Sequence, residues 1–266
     1  MSLLTWIVLF CLIGGVLSVF LAGLFLLIPE TTRQRLLPHM VSYAIGALLG
    51  AAFLALLPHA LGHPAVDDVH DITFTVLLGV LAFFLLEKMV LWRHCHAHDC
   101  EVHGEEHDHN HGHGHAEGTA RGAMILIGDG MHNLVDGILI AAAFLTDIHL
   151  GIVTSIAVAT HEIPQELGDF SILLHSGYSR MKALLVNIAA SLTTVIGGVA
   201  AYYSLQGIEQ AVPYVLAVAA ASFIYIAVAD LIPGLHRRAE ARVTAQQMLL
   251  IAAGVVTIYL AHSTLH

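Results

Sequence analysis

Charge is what this sequence has least of. Only 11% of its 266 residues are Asp, Glu, Lys or Arg, where a soluble domain carries roughly 25%. Hydrophobic residues make up 57%, with a mean hydropathy of +0.79. Together these values exclude a water-soluble globule and a disordered chain. Three cysteines are too few for a disulfide-stapled secreted fold. Ten Lys and Arg residues form no basic patch, which excludes a nucleic-acid partner. No motif calls for an organic cofactor.

What is present is apolar runs. Crossing a hydrocarbon core of roughly 30 Å takes about 20 apolar residues as a helix. Eight spans are predicted: residues 3–28, 39–62, 72–93, 120–145, 148–174, 182–204, 212–234 and 245–262. The first lacks the positive leading segment of a cleaved signal and reads as retained. Basic residues orient the set. Arg33, Arg35, Lys88, Arg93, Arg121, Arg180, Lys182, Arg237, Arg238 and Arg242 all fall on one side of an eight-span layout. The opposite connections hold Asp67, Asp68, Asp71, Asp147 and Glu209 and no Lys or Arg. Both termini are therefore expected outside the cytoplasm, in an all-α multi-pass membrane protein.

Spans 1–3 and 6–8 are odd in number, so the second triplet must be inverted relative to the first. Leu57-Pro58 near the end of span 2 and Ile232-Pro233 near the end of span 7 echo one another. Gly46 and Gly50 form a GxxxG, read first as ordinary membrane glycine usage rather than a packing motif. The expected organisation is spans 1–3 over residues 1–93, a His-rich cytoplasmic loop over 94–118, spans 4 and 5 over 119–176, and spans 6–8 over 177–266.

Nine of the 20 histidines lie between His94 and His115, interleaved with Asp, Glu, Gly, Cys95 and Cys100. Such a segment has too little apolar content to fold alone. Imidazoles, carboxylates and thiols suit zinc and similar borderline cations. The irregular, redundant spacing argues for a multisite metal collector or sensor rather than a closed zinc finger, beside the plainer reading of a solvated linker.

The acids and histidines of spans 4 and 5 are harder to explain as solvation. In span 4, Asp129, His132, Asn133 and Asp136 sit at i, i+3, i+4 and i+7, on one helix face. In span 5, His161, Glu162, Gln165, Glu166 and Asp169 share another. His132 and His161 lie roughly 15 and 18 Å into their spans at 1.5 Å per residue, near mid-membrane. Five carboxylates with no Lys or Arg in either helix core cannot neutralise one another. Each uncompensated charge there costs about 2.5–3.5 kcal/mol on insertion scales. Protons or bound cations must compensate them. Pro164 also frees the carbonyl of Thr160. A set of imidazole, carboxylate and amide donors fits Zn2+, and also Cd2+, Fe2+, Mn2+ or Co2+.

His132-Asn133-x-x-Asp136-Gly137, followed by His161-Glu162-Ile163-Pro164-Gln165-Glu166-Leu167-Gly168-Asp169-Phe170, resembles the paired signature of the ZIP (Zrt-, Irt-like protein) metal transporters. The resemblance is closest to the branch with a HEIPHE-type fifth helix and a His-rich third loop. It implies an eight-helix bundle with spans 1–3 and 6–8 as inverted repeats around spans 4 and 5. It also implies a homodimer that carries divalent metal, chiefly zinc, into the cytoplasm. It places a primary site at His132, Asp136, His161 and Gln165, and a second at Asn133, Asp136, Glu162 and Gln165. Glu166 shares their face and completes the candidate metal residues.

The sequence departs from that pattern at Gln165, where a histidine or glutamate is usual, and at Ala51 and Ala55, where Asp and His are frequent. Residues 182–204 contain no acid for the second site. The resemblance therefore favours the primary site over the second. An alternative is a zinc-dependent intramembrane hydrolase, because His161-Glu162 opens an HExxH string. Gln165 removes its second histidine. A zinc exporter would be expected to show six spans and a cytoplasmic metal-binding domain. The short extramembrane segments point to a bacterial inner membrane.

Overall fold

The computed structural model describes residues 1–95, 114–236 and 240–265. Those residues form eight long helices and no strand. They are α1 (Leu3–Phe25), α2 (Glu30–Leu61), α3 (Val69–Cys95), α4 (Gly114–Thr146), α5 (Ile148–His175), α6 (Arg180–Leu205), α7 (Val212–Leu235) and α8 (Ala241–Leu265). Six of them, all but α4 and α5, are long and apolar enough to cross a membrane. The two exceptions carry the acids and histidines singled out above. Most of the loop expected over 94–118 lies outside the described residues, while its ends belong to α3 and α4.

Several helices outrun their apolar stretches, because backbone hydrogen bonding continues wherever polar side chains reach water. α2 begins at Glu30, not near residue 39, and runs through Pro38. Local chemistry sets the other ends. Ser2 Oγ accepts the Thr5 N–H at the head of α1, 3.2 Å away. Asp147, the single residue between α4 and α5, accepts the N–H groups of His149 and Leu150 at 2.8 and 3.1 Å. One capping carboxylate thus makes the whole reversal. Gly177, at φ +85°, follows α5 with a backbone that L-residues rarely adopt. Asp68, just ahead of α3, accepts from the His70 N–H and lies beside its ring; these bonds hold its carboxyl below the ordinary carboxylate range.

Three helices contain one π-helical turn each, at Ile13–Leu17, Ala51–Leu56 and Ile226–Leu231. The last two end just before Pro58 and Pro233. Each proline lacks an N–H and crowds the carbonyl four residues back, and a wider turn accommodates both defects.

Lipid is as apolar as a leucine, so helices here associate through close packing rather than burial from water. Glycine supplies the approach. A Cβ at Gly46 would collide with the Ile251 carbonyl, and one at Gly254 with the backbone of Tyr43 and Ala47. The GxxxG of α2 is therefore a packing face against α8, contrary to its first reading. Gly137 of α4 abuts the Thr194 carbonyl, and Gly197 of α6 abuts the Leu134 carbonyl. α2 packs on α8, α3 on α7 and α4 on α6, with α5 set among α1, α2, α4, α6 and α8. The outer faces carry exposed Phe74, Leu77, Leu81 and Phe84 on α3 and Leu249, Val256 and Leu260 on α8.

Candidate metal centre

The capping turn at Asp147 sets α4 and α5 side by side and antiparallel, so residues similarly distant from it face each other. His132 and Asp136 of α4 meet His161 and Glu162 of α5, with one ligand atom from each inside a 4.8 Å cluster. His132 Nε2 lies 3.3 Å from His161 Nε2, 3.4 Å from Glu162 Oε1 and 3.7 Å from Asp136 Oδ2. His161 Nε2 lies 3.4 Å from Asp136 Oδ2 and 3.7 Å from Glu162 Oε1. The side chains of Asp136, His161 and Glu162 are 1% exposed, while that of His132 is 22% exposed and marks the open side.

Second contacts aim the ligands. His161 Nδ1 faces the Ala157 carbonyl at 3.1 Å. A carbonyl only accepts, so in the neutral ring Nδ1 holds the hydrogen and Nε2 turns its lone pair to the cluster. The Phe223 ring of α7 stands edge-on behind it, with centroids 6.2 Å apart. Both oxygens of Asp136 and both of Glu162 are buried without a hydrogen-bond partner among the described residues. Two imidazoles and two carboxylates with open oxygens suit a divalent ion of zinc's borderline character. The ion's two charges would offset the two acids.

The remaining candidates lie elsewhere. The Asn133 Nδ2 group donates to Asp129 Oδ1 at 2.9 Å and to the Asp129 carbonyl at 3.2 Å. Its Oδ1 accepts from Thr194 Oγ1 at 2.7 Å. Asn133 is thus tied to α6 rather than turned to the cluster. Glu166 is buried, with Oε1 accepting from Ser191 Oγ at 2.8 Å. Gln165 is half-buried, one turn beyond His161. Glu162, which the resemblance places in a second site, lies in the same donor cluster as His132, Asp136 and His161.

The α6 partners were missed by the sequence argument, which sought only an acid in that span. The signal was present: Asn187, Ser191 and Thr194 recur at i, i+4 and i+7 and are all buried.

Comparison with known proteins bears on what this arrangement does. A family model described as ZIP Zinc transporter matches residues 2–262. The chain is 31% identical over 280 residues to Zinc transporter ZIP13 of Pongo abelii, a match covering 96% of this chain and 78% of the relative. It is 30% identical over 309 residues to Zinc transporter ZIP13 of Homo sapiens, covering 96% and 81%. Zinc transporter ZIP4 of Homo sapiens is 30% identical over 294 residues, covering 91% of this chain and 44% of the relative.

Proposed function

We propose that this chain, which belongs to the ZIP zinc transporter family, carries Zn2+ across a membrane through His132, Asp136, His161 and Glu162. The family is one of transporters, not enzymes, and the hydrolase reading loses its ground. Zinc as cargo is supported by the names of the matched relatives and by the donor set. Cd2+, Fe2+, Mn2+ and Co2+ share that chemistry and are competitors at the same position.

The observation that carries the reading is a pair of buried carboxylates whose four oxygens have no hydrogen-bond partner among the described residues, facing two imidazoles in apolar surroundings. His132 and His161 are each roughly 20 Å along their helices from the Asp147 reversal at 1.5 Å per residue. That depth supports a site near mid-membrane. Cargo held there exchanges between two faces of a bilayer, which a site at a surface would not require.

The reading includes α4 and α5 as spans, making eight. Their acids lower their apolarity, and a bound cation offsets that cost. The inverted repeat is supported by an exchange of partners: α2 packs on α8 while α3 packs on α7. π-helical turns ahead of Pro58 and Pro233 fall at corresponding places in α2 and α7. The basic residues put both termini outside, and the resemblance gives inward transport and a homodimer. We place the protein in a bacterial inner membrane, although the relatives named above are animal proteins. The His-rich segment, largely outside the described residues, is assigned to metal collection.

The test is uptake of radioactive zinc by proteoliposomes. His132→Ala, Asp136→Ala and His161→Ala should each abolish most uptake while membrane-inserted protein stays at the wild-type amount. Undiminished uptake in all three would overturn the site.

A further inference from the structure

A cavity of about 270 Å³ lies where α2, the end of α7 and the start of α8 meet. Arg35 and His39 of α2, Gly234 of α7, and Val243, Gln246 and Gln247 of α8 line it. No Asp, Glu or Cys among the described residues does so, which argues against a metal ion as its ligand. Its polar groups are chiefly donors. The Arg35 guanidinium carries a fixed positive charge. His39 Nδ1 donates to the Arg35 carbonyl at 2.6 Å, which anchors the ring and leaves Nε2 for a ligand. Gln247 Nε2 donates to the Leu235 carbonyl at 3.4 Å and ties α8 to the end of α7. The start of α8 at Ala241 brings the positive end of a helix dipole to the same place.

The surrounding segments are basic as well. Residues 26–42 and 236–247 contain Arg33, Arg35, Arg237, Arg238 and Arg242 against Glu30 and Glu240. Glu30 is engaged elsewhere, its Oε1 accepting from Gln34 Nε2 at 3.1 Å. Apolar surface begins beside the cavity. Leu36, next to Arg35, and Met248 and Leu249, next to Gln247, are exposed. The three helices are long and apolar enough to cross a membrane, so their shared end lies where lipid meets water.

We propose that this cavity binds the phosphate headgroup of an anionic phospholipid, with Arg35 as its principal contact and the acyl chains against Leu36, Met248 and Leu249. The orientation given under the proposed function puts that lipid in the cytoplasmic leaflet, and nothing else in the inference draws on the metal quartet. A guanidinium meets phosphate oxygens through two parallel hydrogen bonds. The Gln246 amide adds a donor, as does His39 when its ring is protonated. Basic pockets between membrane helices suit such headgroups. Free phosphate finds the same donors but makes no use of the apolar flank. A headgroup seated here touches three helices at once. It holds the end of α7, whose Phe223 stands behind His161, against α2 and α8.

Native mass spectrometry of the purified full chain, released from detergent with added phosphatidylglycerol, counts the bound lipid directly. Wild type should retain one phosphatidylglycerol per chain and should hold phosphatidylcholine, whose headgroup has no net charge, severalfold more weakly. Arg35→Ala should weaken phosphatidylglycerol about tenfold or more, as loss of a hydrogen bond to a charged group does. A Cβ at Gly234 meets nothing within 4 Å, so Gly234→Leu adds bulk to the cavity and should exclude the lipid with every charge unchanged. Arg35→Ala, at an exposed position, keeps the test standing if Gly234→Leu fails to fold. Arg180→Ala, which removes a basic residue at the start of α6 outside the cavity, should have no effect. Equal retention by wild type, Arg35→Ala and Gly234→Leu would overturn the site. So would an equal loss in Arg180→Ala, which would mean diffuse attraction to positive surface. Displacement of phosphatidylglycerol by equimolar inorganic phosphate would overturn the lipid assignment in favour of a free anion. Full zinc uptake by His161→Ala would sink the transport site while leaving this lipid result standing.

Discussion

Helix α4 has two polar seams of opposite character. Against α5, His132 and Asp136 meet His161 and Glu162 with four carboxylate oxygens that have no hydrogen bond among the described residues. Against α6, Asn133 Oδ1 accepts from Thr194 while its Nδ2 donates back to Asp129 of α4, and Gly137 and Gly197 bring the two backbones together. A buried polar group without a partner is costly, and a satisfied one is close to neutral. In the proposed reading an ion completes the first seam, whereas in the second the Asn133 amide is already satisfied by protein groups. The contrast suggests a division of labour within one helix, whose α6 face is fixed so that its α5 face can be left open.

Breaking the open seam should have the largest effect. His161→Ala removes an imidazole that Ala157 aims at the cluster, and zinc uptake should fall more than about 100-fold, since losing even an outer-shell partner costs 10–100-fold. Unchanged insertion, checked by the amount of protein in reconstituted vesicles, would assign that loss to the open seam alone.

Acid should weaken the same seam without any mutation. Cations bind deprotonated ligands, so protons compete with Zn2+ as pH falls. Affinity should fall progressively between pH 8 and pH 5 as the imidazoles take up protons. Equilibrium dialysis across that range measures it, and a flat profile would mean that the histidines are not ligands.

The closed seam should respond in stability before it responds in transport. Gly137→Leu drives a side chain into the Thr194 backbone, and overpacking of this kind costs about 1–3 kcal/mol. Thermal unfolding in detergent should register it, with zinc affinity at the quartet changed less than by His161→Ala. A variant as stable as wild type would show that the α4–α6 approach is slack. The smallest effect is expected of Thr194→Val, which keeps the shape and removes one donor to Asn133. Interhelical hydrogen bonds in membranes contribute about 0.6–2 kcal/mol. Stability should fall within that range, and a loss of uptake as large as that of His161→Ala would erase the distinction between the two seams.

Much of this was legible from residue order. Apolar length located eight helices within a few residues at most ends, missing chiefly where α2 continues as far back as Glu30. Hydropathy reports where lipid begins, whereas helical hydrogen bonds do not stop there. The spacing of His132 and Asp136, and of His161 and Glu162, placed each pair on one face, because helical periodicity is a local property. The family signature is carried by those same short strings.

Contacts between helices were not legible in this way. Whether Glu162 or Gln165 joins His161 at the cluster depends on how far α5 is rotated about its axis, and both lie on the same polar face. Whether Asn133 is a ligand or a brace depends on Thr194, 61 residues away. The packing role of Gly46 depends on a carbonyl of α8. Rotation and register are settled by backbones meeting at glycines and by buried donors finding acceptors, interactions between residues that no local period relates. Sequence by itself determined the helices, their polar faces and the kind of metal chemistry. Tertiary packing alone decided which four side chains converge and which neighbours hold them there.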